Sequence, residues 1–148
     1  MDPDAFATSW LAAFNAQDLE AIMGHYAEDV EHSSPTVARL LGEPSGVVRG
    51  KEALRAYFAK ALASAGPGLR YERTRLYVGA HGVTLLYDRS GGKLVAETFQ
   101  LDARGLVVRA FVAHAERVQP RTDRSPSSQE HAERSTLRET HTAAREGR

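Results

Sequence analysis

KLVAETFQLD, residues 93–102, decides how the second half of the chain is read. The run is short, free of Gly and Pro, and holds Val, Thr and Phe, which suit a pleated strand. Successive side chains on a strand point to opposite faces. Lys93, Val95, Glu97, Phe99 and Leu101 therefore share one face, and Leu94, Ala96, Thr98, Gln100 and Asp102 the other. The first face is the more apolar, yet it carries a carboxylate between Val95 and Phe99. A carboxylate there is either paired with a cation or a helix end, or kept for chemistry.

Three further runs of the same kind flank it: LRYERTRLYV (69–78), VTLLYDR (83–89) and LVVRAFVAHAE (106–116). The connections GAHG, SGG and ARG are short and glycine-bearing, as hairpin loops are. This predicts an antiparallel meander of four strands. Upstream the period changes. KEALRAYFAKALAS (51–64) places Leu54, Tyr57, Phe58, Ala61 and Leu62 on one helical stripe, and GPG at 66–68 ends it. Asp2-Pro3 suits an N-cap followed by proline at N1, with Phe6, Trp10, Ala13 and Phe14 at helical spacing behind it. Asp18 caps a second, short helix with Leu19, Ile22, Met23 and Tyr26 on its stripe. VEHSSP (30–35) reads as a short strand closed by proline, and an irregular stretch with Gly42, Pro44 and Gly46 follows.

The expected architecture is α+β: three N-terminal helices packed on a curved antiparallel sheet of one short strand plus the four-stranded meander, together a cone-shaped barrel. Helices on a concave sheet leave a cavity, closed at the narrow end by packed side chains and open on the helix side. The domain spans residues 1–116. From Arg117 onward the chain has only Val118 and Leu137 as large aliphatic residues, so 117–148 is expected to be a polar appendage, disordered or partly helical.

Composition removes several functions. The 148 residues are 42% hydrophobic and 26% charged, and 19 basic residues balance 19 acidic ones. No global field therefore favours nucleic acid or an anionic membrane. Without cysteine there is no disulfide, thiolate zinc site or cysteine nucleophile. No apolar run approaches the roughly 20 residues of a membrane span, and MDPDAFATSW lacks the basic start of a signal peptide. The expectation is a soluble cytoplasmic protein with no nucleic-acid and no membrane partner. No phosphate-binding or dinucleotide glycine motif occurs, and no cofactor is expected.

NAQDLEAIMGHYAEDV (15–30) and GVVRGKEALRAYF (46–58) carry a resemblance. In the first, a capping Asp opens the second helix and Y-A-E-D-V closes the segment. The second resembles a (V/I)-x-G-(K/R)-E-x-(I/L)-x-x-(F/Y) entry into a third helix. Over about residues 5–116 the chain resembles the nuclear transport factor 2-like superfamily, and within it the SnoaL-like polyketide cyclase and ketosteroid isomerase branch. That fold hosts isomerases, cyclases, dehydratases and binding proteins alike. Aligned with ketosteroid isomerases, the oxyanion-hole tyrosine falls at Trp10 and the general-base aspartate at Ser34. The protonated oxyanion-hole aspartate falls at Glu97, and a pocket tryptophan at His114. One of these three catalytic positions keeps a carboxyl group, and serine does not replace a carboxylate base.

The candidate catalytic residues are therefore Glu97, His32 and His114. Apolar neighbours raise a carboxyl pKa and turn Glu97 into an acid or hydrogen-bond donor. His32 lies two residues from Ser34 and projects the same way; histidine titrates near neutral pH. His114 shares its strand face with Val108, Ala110 and Val112. Trp10, Ser34, Tyr26, Tyr57, Phe58 and Phe99 are the candidate ligand-binding residues. Spacing offers no histidine–acid partner for a serine nucleophile, and the separation of His32, His114 and Glu97 gives no support for a metal, so none is assigned.

The expected ligand is a small apolar molecule bearing a carbonyl or hydroxyl, polyketide- or steroid-like. The expected chemistry is cofactor-independent isomerisation, cyclisation or dehydration by proton transfer. The alternatives are a non-catalytic binding module for the same ligand and a dimeric interaction domain. Val107, Arg109 and Phe111 are assigned to the convex sheet face, where a homodimer contact is expected.

Overall fold

A computed structural model describes residues 2–116. The expected appendage at 117–148, with His131 and His141, lies outside the described residues.

Helix α1 (Pro3–Asn15) starts as its sequence dictates: the Asp2 carboxylate accepts from the amides of Asp4 and Ala5, and Pro3 occupies the first turn. Asp18 caps α2 (Leu19–Met23) through the Ala21 amide. Between them Gln17 has φ 51°, and its side-chain amide donates to the Gly66 carbonyl at 2.7 Å. That bond fixes the end of α1 against the end of α4 (Lys51–Ala65). Asn15 does the same for the sheet, donating to the Tyr71 carbonyl at 2.9 Å and accepting from the Tyr71 amide at 2.7 Å.

The strands are β1 (Tyr26–Ser33), β2 (Val47–Arg49), β3 (Tyr71–Val78), β4 (Gly82–Arg89), β5 (Lys93–Leu101) and β6 (Val107–His114). They form one curved sheet in the order β2-β1-β6-β5-β4-β3. The meander β3–β6 is antiparallel as expected. The pair joining its two ends of sequence is not: β1 runs parallel to β6, since α4 and the meander intervene between them.

Residues 35–41 differ from the expected irregular stretch. Pro35–Leu41 is a helix, α3, capped by the Ser34 hydroxyl on the Thr36 amide and ended by Gly42 at φ 65°. Ser-Pro is an N-cap followed by N1 proline, the signal already read at Asp2-Pro3; the cluster of Gly42, Pro44 and Gly46 downstream masked it. The described residues thus hold four helices, and the first strand is longer than VEHSSP and begins at Tyr26, which belongs to it rather than to the α2 stripe.

A register shift between Gln100 and Leu101 changes the parity of β6 at its start. Val107, assigned to the convex face, is consequently fully buried on the concave side, while Arg109 and Phe111 do face outward. The core is one cluster between the concave face and α1, α2 and α4, built on Trp10, Ile22, Met23, Leu54, Leu85 and Phe99. Among the described residues no helix is long and apolar enough to cross a membrane.

Candidate functional site

The concave face orders its side chains by depth. On β4 the inward positions are Val83, Leu85, Tyr87 and Arg89; on β5 they are Phe99, Glu97, Val95 and Lys93. Glu97 pairs in register with Leu85 and Val112, at mid-depth. Tyr87 stands one inward position nearer the rim and donates its hydroxyl to Glu97 Oε2 at 2.9 Å. Glu97 is 2% exposed, and burial pushes its carboxyl pKa up to about 8, with the Tyr87 bond pulling weakly the other way. At neutral pH the group is predominantly a neutral acid.

His32 sits on β1, in register with Ala110 of the intervening β6. It is 2% exposed, and Nδ1 has no hydrogen-bond partner. Its ring lies 5.6 Å from that of Tyr57 and 5.4 Å from that of Phe58. Burial pulls its pKa down to about 4, so the imidazole is neutral at physiological pH.

Both residues line a cavity of about 50 Å³. Trp10, Phe14 and Phe58 form its inner wall, Ser34, Thr36 and Tyr57 one side, and Tyr71 and Tyr87 the other. Trp10 is held by its indole N–H, which donates to the Tyr26 hydroxyl at 3.0 Å. Tyr71 and Tyr87 lie with ring centroids 4.6 Å apart, and Tyr71 also stacks on Trp10 and Phe14. Burial raises the phenol pKa of Tyr57, Tyr71 and Tyr87, keeping each neutral. The exposed His114 and the half-buried Ala65, Leu69 and Arg89 mark the mouth, between the end of α4 and the ends of β4 and β6. Burial first, then the charges of Arg89, Arg39 and Lys93, lower the His114 pKa.

The cavity therefore brings together Glu97, His32, His114, Trp10, Ser34, Tyr57 and Phe58. Tyr26 and Phe99 are fully buried behind the wall and do not line it. Tyr26 acts on the site through Trp10, and Phe99 packs edge-on against the Trp10 ring at 5.1 Å. Sequence reasoning missed Tyr71, Tyr87 and Arg89. The signal for two of them was present: pairing β4 with β5 across the SGG turn puts Tyr87 and Arg89 on the face of Glu97. Among the described residues no group of three or more His, Asp or Glu side chains could hold a metal ion. The enclosed volume suits a few waters; a ring-sized ligand would lie partly in the open mouth, and a polycyclic one is not enclosed.

Residues 7–122 match the profile of the SnoaL-like domain. A crystal structure of a SnoaL-like protein of unknown function from Burkholderia thailandensis E264 aligns at TM-score 0.73 and 38% identity, covering 77% of this chain and 94% of that one. A candidate ketosteroid isomerase from Kribbella flavida DSM 17836 aligns at TM-score 0.60 and 20% identity, covering 82% and 83%. TerC, co-crystallised with polyporic acid, aligns at TM-score 0.63 and 14% identity, covering 76% and 91%. At those last two identities the likeness is one of fold. No curated protein matches the chain.

Proposed function

Because the chain belongs to the SnoaL-like family, we propose that its cavity binds a small, largely apolar carbonyl or hydroxyl compound and moves a proton on it. The observation that carries this reading is Glu97, a buried carboxyl held neutral and hydrogen-bonded by Tyr87. A neutral acid in a dry site is a donor. With Tyr87 donating to Oε2, the acid's own O–H is left for a ligand oxygen.

In the proposed step, a C–H bond beside the ligand carbonyl breaks and its proton goes to the neutral imidazole of His32. The electron pair of that bond forms a carbon–carbon double bond, and the carbonyl pair moves onto oxygen. Glu97 donates to this oxygen as its charge develops. A base whose pKa is about 4 is weak, but imidazolium and enolate arise together, and opposite charges attract strongly where water is excluded. Return of the proton to another carbon gives isomerisation. Expulsion of a β-hydroxyl, which leaves as water with the proton held on His32, gives dehydration; attack by the enolate carbon on a second carbonyl, whose oxygen then takes that proton, gives cyclisation. His114, at the rim, is the candidate partner for proton exchange with solvent.

One observation favours a second reading, a binding module without turnover. The Ser34 hydroxyl, at the position where the resemblance puts the base, accepts from the Thr36 amide at 3.1 Å as a helix cap. The two readings separate in an assay that needs no native substrate: exchange of the methyl protons of acetophenone in D2O, followed by NMR. Catalysis predicts exchange accelerated by the protein, and falling about 100-fold in Glu97→Gln and in His32→Ala. Equal rates in parent and variants would leave the binding module.

A further inference from the structure

Among the described residues, Arg89 is the one permanently charged side chain lining the cavity. It belongs to the same inward row as Leu85 and Tyr87, because inward positions on β4 recur every second residue. The ion pairs of the described residues involve Arg49, Lys51, Arg55, Arg73, Arg104 and Arg109. Arg89 is in none of them. This half-buried guanidinium at the cavity mouth has five donors in a planar fork, and among the described residues none of them has a hydrogen-bond or ion-pair acceptor. Its charge reaches inward as far as Tyr57 and Tyr71 and outward to His114. The acid that could neutralise it from within the cavity, Glu97, is itself uncharged at neutral pH. Lys93, the register partner of Arg89, adds a second cation on the same side.

We propose that Arg89 binds a carboxylate on the ligand, so that the molecule taken by this cavity is a keto acid, its carboxylate at the mouth and its carbonyl at Glu97. This rests on the reading of Glu97 given above and names the substrate class for it. The spacing fits an elongated molecule. Lys93, opposite Arg89, and Glu97 are four residues apart on β5, about 13 Å along the strand, and the long Arg89 side chain closes much of that span. Carboxylate suits the fork because two parallel N–H bonds can reach its two oxygens. A phenyl-sized spacer would lie against the Tyr71 and Tyr87 rings.

The test uses the full chain and two matched probes, 4-acetylbenzoate and 4-acetylbenzamide, which differ in charge and hardly in shape. Trp10 is the only tryptophan and lines the cavity, so its fluorescence reads occupancy. The parent is expected to bind the acid about tenfold or more tightly than the amide, with the preference shrinking as salt is added. Arg89→Gln is expected to erase the preference and Arg89→Lys to keep part of it. Should Arg89→Gln not fold, as judged by circular dichroism, the salt dependence and Arg89→Lys carry the test. Equal affinities in the parent, or a preference that survives Arg89→Gln, would overturn the assignment and leave the Glu97 site standing. Failure of both probes to change Trp10 emission would overturn it together with the cavity reading, while acetophenone exchange tests Glu97 and His32 separately.

Discussion

The two faces of the sheet break the rule of apolar inside and polar outside in opposite directions. The concave face takes in a carboxyl and an imidazole, Glu97 and His32, each 2% exposed. The convex face leaves out Phe111 at 60%, Leu94 at 52% and Tyr77 at 51% exposed. Phe99 and Phe111 make the contrast concrete. They lie one register step apart on neighbouring strands, yet Phe99 is fully buried and Phe111 is mostly in solvent. Buried polar groups cost free energy unless satisfied, and exposed aromatic ones forgo burial. Neither departure stabilises the isolated domain. The proposed ligand would account for the first, and a proposed partner surface for the second.

The largest effect should come from the inner phenylalanine. Phe99→Ala removes a ring that touches Phe6 and Trp10 at centroid distances of 5.1 Å, and about 3–5 kcal/mol should be lost in urea denaturation. A loss under about 1 kcal/mol would mean that the concave face is loosely packed, and the depth order built on it would fail.

Next is the pH dependence of the inner face, where two burial costs run in opposite directions. Glu97 rises from 4.5 to about 8 on folding. The unfolded chain therefore holds fewer protons than the native one between those values, and stability falls as pH rises through that window. His32 drops from 6.5 to about 4. There the unfolded chain holds more protons, and stability falls as pH drops from 6.5 towards 4. From 4.5 to 6.5 the two slopes cancel. From 6.5 to 8 Glu97 acts alone, and about 2 kcal/mol should be lost. Denaturation midpoints across this range should decline in the parent and stay level in Glu97→Gln. A level parent would mean that Glu97 is already ionised and paired, which would end its role as a donor.

A smaller change tests the single bond to that acid. Tyr87→Phe removes the hydroxyl that donates to Glu97 Oε2. About 1 kcal/mol should be lost, and because this bond favours the charged form, the decline above pH 6.5 should extend to higher pH. An unchanged profile would show that Tyr87 does not sense the charge on Glu97.

How much of this was legible in the sequence differs between the same two faces. The parity of KLVAETFQLD put Glu97 inward, and two residues of spacing put His32 with Ser34; strand alternation is local, so one run of residues carries it. Val107 was misplaced because the shift between Gln100 and Leu101 flips parity, and it leaves no mark in a sequence rich in valine. Helix α3 was missed although Ser34-Pro35 announced it, because the glycines and proline behind it looked like a loop. Tyr71 reaches the site through reciprocal bonds between its backbone and Asn15, 56 positions away. Composition and periodicity hold no such pairing. Arg89 was legible by parity alone, but its lack of an ion partner is a property of three-dimensional neighbours.

The smallest expected change in the domain itself is on the convex face, and it is also the one that decides what that face is for. We propose that a second copy covers Phe111, making the homodimer expected from the sequence. Phe111→Ala removes a ring already mostly in water, so its intrinsic cost to the fold should stay within about 0.5 kcal/mol. Phe111→Glu goes further: it sets a charge at the centre of the outer face, between the exposed Arg109 and Ala113, and an interface that must bury that charge cannot form cheaply. Sedimentation should therefore show a dimer for the parent and a monomer for Phe111→Glu, with the far-ultraviolet spectrum of a folded domain in both. A dimer that survives would move the contact elsewhere and leave the exposed aromatics without a partner. A monomeric parent would do the same, and the contrast between the faces would then rest on the inner one alone.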